Sequence, residues 1–136
     1  MKDLFIEFKK ICFQLNKIGI IPTLMGSLGL GYRSMKDWQP SDIDIHVPGD
    51  PRGWNSPDEF RIYDFEKIRN IMEGSGYELA DLHEHEFHKN GIIVEYGSID
   101  SLYDFAGIPV SEIELVRLED IHFRVPDLKQ FLSIYH

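Results

Sequence analysis

The stretch Ser41-Asp42-Ile43-Asp44-Ile45-His46-Val47 alternates without a break. Period two sends Asp42, Asp44 and His46 to one face of a strand and Ile43, Ile45 and Val47 to the other. Aspartate is depleted in strands. Two on one face, about 7 Å apart by strand rise, repel each other unless something positive lies between them. A hard divalent cation answers that repulsion, because such ions take carboxylate oxygens. The same pattern also suits the wet face of a half-exposed antiparallel sheet, so the motif alone leaves both readings open.

On the N-terminal side, Leu4, Phe5, Phe8, Ile11, Cys12, Leu15 and Ile18 form one helical stripe, which Gly19 ends. Cys12 lies inside the stripe and reads as core. Ile20 to Met25 reads as a short buried strand, and Leu28 to Met35 resumes a helical pattern. Between them, Gly26-Ser27 sits where a strand gives way to a helix. Free backbone N–H groups and the positive helix end there suit a phosphate. An ordinary cap at Ser27 is the plainer alternative. The Gly-Lys-Ser/Thr ending of a Walker loop is absent.

On the C-terminal side, Pro48 to Pro57 is an irregular loop carrying an exposed-looking Trp54. Ser56 as cap and Pro57 at the first turn start a helix predicted to run through Met72 to Gly74-Ser75-Gly76. Tyr77–His88 and Ile92–Ile99 read as strands flanking the hairpin turn Asn90-Gly91. Facing residues across a two-residue turn then pair Glu86 with Glu95, Phe87 with Val94 and His88 with Ile93. Glu95 is a carboxylate in an otherwise apolar strand, opposite another carboxylate. Either a cation neutralises it or it guards a sheet edge. His83, His85 and His88 do not share a face and lack a fourth ligand, so they read as solvated strand residues rather than a zinc site. Glu114 to Val125 reads as two short strands around Glu119-Asp120, and Pro126-Asp127 starts a last helix. The expected class is α+β, a mixed sheet with flanking helices.

The chain has 136 residues, 43% hydrophobic and 27% charged, as expected for one soluble globular domain. One cysteine and no charged-then-apolar leader point to the cytoplasm. The longest uncharged run, Ile18 to Tyr32, is broken by Pro22 and four glycines and is no membrane span. A net charge of −9 argues against a nucleic-acid partner.

Taken in order, Met25-Gly26-Ser27, Asp42-Ile43-Asp44 and Glu95 resemble the nucleotidyltransferase superfamily, the fold shared with polymerase beta. The long spacer of residues 28–41 and the tail Val125-Pro126-Asp127-Leu128 look most like its lincosamide and aminoglycoside branch. The resemblance covers residues 19 to 99 well and implies a single nucleotidyltransferase-like domain over 1–136. It implies a metal-dependent enzyme that moves an NMP from an NTP, expected to be ATP, to a hydroxyl of a small-molecule acceptor such as an antibiotic. Asp42, Asp44 and Glu95 would be catalytic: the aspartates would hold Mg²⁺ or Mn²⁺, and Glu95, standing where Asp is common, would complete the metal site or act as the base that takes the acceptor's proton. Gly26 and Ser27 would cradle the β/γ-phosphates. Arg33 and Lys36, the only cations between turn and strand, would bind the nucleotide too. The acceptor would sit under the 48–57 loop or against a second copy in a homodimer. A non-catalytic nucleotide- or partner-binding module that keeps the fold is the alternative.

Overall fold

The computed structural model describes residues 3–135. Its elements follow the expected order, with an added short helix over 102–106 that the sequence pattern does not suggest. Helix α1 (Leu4–Lys17) is capped by the Asp3 carboxylate, which accepts from Ile6 N–H. Strand β1 (Thr23–Met25) leads directly into α2 (Gly26–Ser34), and β2 (Asp42–Val47) follows. Next come α3 (Asp58–Arg61), α4 (Phe65–Gly74), β3 (Glu78–Asp81), β4 (Glu86–Lys89) and β5 (Ile92–Ser98). Helix α5 (Leu102–Ala106), strands β6 (Glu114–Leu118) and β7 (Ile121–Val125) and helix α6 (Leu128–Ile134) complete the chain.

The seven strands form one mixed sheet in the order β3-β4-β5-β2-β1-β7-β6. The β2–β5 and β1–β7 pairs are parallel and the other pairs antiparallel. The fold is therefore the α+β class that the element order implies. Strand alternation builds the two layers. Leu24, Ile43, Ile45, Val94 and Phe87 belong to the main core with α1 and α4. Met25 points the other way, into a smaller cluster with Leu102 of α5 and Ile134 of α6. Among the described residues no helix is long and apolar enough to cross a membrane.

The Asn90-Gly91 turn forms as expected, with both residues at positive φ (48° and 79°), the conformation a two-residue hairpin requires. Its register is the expected one: Glu86 faces Glu95, Phe87 faces Val94 and His88 faces Ile93. Other expectations need correction. The helix predicted from Pro57 to Met72 is two helices, because Ile62 leaves the first to bridge Gly49 and Asp64 turns left-handed at φ 56°. Asp50 N–H and Pro48 O, on either side of Gly49, thereby gain Arg61 O and Tyr63 N–H as backbone partners that a continuous helix would deny them. Ser56 is not the cap; its hydroxyl donates to Gly53 O (2.7 Å), and Pro57 precedes the helix. The predicted strand Tyr77–His88 is broken by a turn at 82–85, where His85 has φ 50° and its N–H donates to Leu82 O. Strand β1 starts only at Thr23, after Pro22, which has no N–H to give a ladder.

Candidate functional site

The register of four strands sets the site. Met25 pairs with Asp44, Asp44 with Glu95, and Glu95 with Glu86, so one row crosses β1, β2, β5 and β4. Three of its four members are carboxylates, on neighbouring strands about 5 Å apart. Asp42 lies two residues along β2 on the same face, opposite Ile93. Burial along β2 alternates as the sequence requires: Asp42, Asp44 and His46 are half-buried, while Ile43, Ile45 and Val47 are fully buried.

Crowding shows in the acidities. Partial burial, a hydrogen bond with Glu86, and the charges of Asp42, Asp44 and Glu86 push Glu95 up to about 7. A bond between two carboxyls needs a shared proton. Asp42 is also raised above the usual carboxylate range, by burial first and then by Asp44 and Glu86. Two imidazoles stand against these carboxylates. His88 Nε2 lies 2.6 Å from Glu86 Oε2, and His46 Nε2 lies 3.4 Å from Asp44 Oδ1. The His46 ring lies across β5 only because residue 97 is glycine; a Cβ there would stand 2.8 Å from Nε2. His46 Nδ1 is buried without a partner.

Gly26 and Ser27 lie beside this row. A Cβ on Gly26 would stand 3.0 Å from Asp44 Cβ, and its backbone takes φ +65°. The residue before α2 is Met25, which makes no side-chain cap, so the plainer reading of Ser27 as a cap fails. The N–H of Gly26 is already engaged: it donates to the Tyr135 hydroxyl at 2.9 Å. Burial, then the charges of Asp44 and Asp42, push that phenol up to about 12. Ser27 is exposed and lines a cleft of about 840 Å³ with Phe5, Tyr32, Lys36 and Trp38. The structure therefore brings Ser27 and Lys36 to one cleft and Asp42, Asp44 and Glu95 to one sheet face.

Arg33 does something else. Its guanidinium donates to Val125 O (2.8 Å) and Pro126 O (3.0 Å) and pairs with Glu114 (2.7 Å), tying α2 to β7 and β6. The three C-terminal-side histidines also diverge. His83 meets Asp58, His85 is buried beside Arg61, and His88 meets Glu86. Solvated strand residues describe His88 alone, since His83 and His85 belong to the turn and His85 is 1% exposed. Cys12 is buried as expected, and burial pushes its thiol up to about 12. Tyr135 and His46 are the participants that sequence reasoning left without a role. His46 shares the Asp42 face by alternation, but nothing local brings the chain's penultimate residue to Gly26.

Fold and site together define an α+β protein whose mixed sheet carries a row of carboxylates beside a glycine-started helix. No family model and no solved structure matches the chain. It is 33% identical over 133 residues to the "Uncharacterized protein YnaI" of Bacillus subtilis (strain 168), covering 97% of this chain and 80% of the relative. The chain belongs to the family of that protein.

Proposed function

We propose that this protein is a metal-dependent nucleotidyltransferase that moves an NMP from an NTP to a hydroxyl of a small-molecule acceptor. The observation that carries the reading is the row Met25–Asp44–Glu95 with Gly26 next in line, three separate chain segments meeting through two strand pairings. In that reading Asp42, Asp44 and Glu95 hold the cation, and the turn at Gly26-Ser27 receives phosphate. Lys36 in the adjoining cleft adds a cation near Ser27. A cytoplasmic setting, with its Mg²⁺ and NTP, suits a chain with one buried cysteine.

The donor set fits a hard divalent ion in kind: all three are carboxylates, and burial followed by neighbouring carboxylates makes Asp42 and Glu95 weaker acids than usual. Among the described residues no three His, Cys, Asp or Glu side chains stand close enough to form a ready-made metal group, so a cation would have to gather these. Bound Mg²⁺ would supply charge neutralisation at the phosphates. The chain's own part is to position the triphosphate against α2 and, where the two aspartates alone hold the cation, to take the acceptor's proton on Glu95.

The test is Mg²⁺-dependent pyrophosphate release from each NTP in the presence of hydroxylated acceptors. Asp44→Asn should abolish it; turnover unchanged in that variant overturns the reading. The second reading, a nucleotide- or partner-binding module without transfer, is favoured by two observations: Arg33 is committed to backbone carbonyls, and Gly26 N–H is taken by Tyr135. NTP binding by calorimetry with no product after long incubation would select it.

A further inference from the structure

Arg61 is 3% exposed and His85 1% exposed, and neither takes part in the proposed chemistry. Their hydrogen bonds fix the form of the imidazole. Arg61 Nη1 lies 3.4 Å from His85 Nδ1, and a guanidinium has only donors, so Nδ1 is the acceptor. His85 Nε2 lies 3.1 Å from the carbonyl oxygen of Asp58, which only accepts, so Nε2 carries the hydrogen. The closed arrangement therefore requires a neutral ring.

One guanidinium ties three segments here. Arg61 Nε donates to Gly53 O (3.2 Å) in the loop, Nη1 donates to His83 O in the β3–β4 turn, and Nη2 pairs with Asp58 (2.8 Å) on α3. The Trp54 ring covers the guanidinium at 4.5 Å. The charged groups acting on His85 are Arg61 and Asp58 from α3, with His83 beside it in the turn. Helix α4 meets it with the Phe65 ring, edge-on at 4.6 Å, and β5 with the Tyr96 N–H on its carbonyl; neither is charged.

We propose that the Arg61–His85 contact is a proton-operated latch, in which a proton on His85 Nδ1 expels Arg61 and loosens segment 53–61 against the β3–β4 turn while the sheet stays folded. Protonated, Nδ1 becomes a donor facing a donor, and two cations share a buried site. Arginine keeps its charge at any ordinary pH, so it must move. Its bonds to Gly53 O and His83 O go with it, which leaves only the Asp58 contacts with His83 and with His85 Nε2 between segment and turn. Burial, then the Arg61 charge, holds His85 below the ordinary histidine range, so the latch opens in mild acid rather than at neutrality. The loosened segment lies five residues beyond β2, the strand that bears Asp42 and Asp44. The inference does not depend on any nucleotide binding.

Trp54 reports on the latch. The sequence has two tryptophans, so Trp38→Phe leaves Trp54 alone, and His83→Gln removes a neighbouring imidazole (rings 5.4 Å apart) that would quench it when protonated. In that background, acidification from pH 8 should produce a reversible one-proton change in Trp54 emission before any loss of far-UV circular dichroism. Adding His85→Gln should abolish the change, because the amide can accept from Arg61 and donate to Asp58 O without titrating. Should that variant fold poorly, hydrogen exchange on the unaltered protein decides. After correction for intrinsic rates, segments 50–63 and 81–86 should exchange faster in acid while 92–98 stays protected. An emission change that survives His85→Gln, uniform acid exchange along the chain, or no change before global unfolding overturns the latch.

Discussion

Glu95 sits among three other carboxylates, Asp42, Asp44 and Glu86. Its folded pKa of about 7 lies above the ordinary carboxylate value, so the folded state prefers it protonated. Its contribution is therefore fully present below about pH 4.5 and is lost as pH rises through 7. Discounted for its partial exposure, that loss is about 1 kcal/mol. Glu95→Gln should flatten the fall in stability between these pH values and raise the melting temperature of the metal-free protein at pH 8 by about 4 °C. Thermal unfolding across pH 4 to 8 reads both, and an unchanged profile would mean that the row is simply solvated. The same experiment with Mg²⁺ added should stabilise the parent but not the variant, by mass action on the folded state.

The β4–β5 hairpin is the element whose geometry the site needs, since its register sets Glu86 against Glu95. Gly91 sits at φ 79°, where an added Cβ is strained. Gly91→Ala should cost about 1 kcal/mol, seen as a lowered urea midpoint with an unchanged slope. Helix α6 is fixed at its start by a reciprocal cap, Asp127 accepting from Gln130 N–H while the Gln130 side chain accepts from Asp127 N–H. That cap sets where the helix begins, and hence that its far end delivers Tyr135 to Gly26.

Across the whole molecule, Arg33 joins α2 to the β6–β7 side of the sheet. Its three partners are two backbone carbonyls and an exposed Glu114, so the two carbonyl bonds dominate. Arg33→Ala should cost about 2 kcal/mol, the scale of hydrogen bonds to a charged group. Chemical denaturation checks it, and a loss below about 0.5 kcal/mol would show the guanidinium to be dispensable to the fold. The sequence shows a cation close to the Gly-Ser turn. It does not show the carbonyls of Val125 and Pro126, more than ninety residues on, that claim it.

Local signals determined a good deal of this protein. Strict alternation assigned Asp42, Asp44 and His46 to one face, Asn90-Gly91 set the Glu86–Glu95 register, and the Cys12 stripe marked the core, because period and turn chemistry act within a few residues. Tertiary structure decided the rest. That Asp44 faces Glu95 depends on β2 and β5 pairing in parallel across the sheet, and no nearby residue encodes which strands become neighbours. That Ile62 leaves its helix, that His85 is buried on Arg61, and that Tyr135 reaches Gly26 follow from backbone and charged groups finding partners once the core closes. Those partners exist only after distant segments have met.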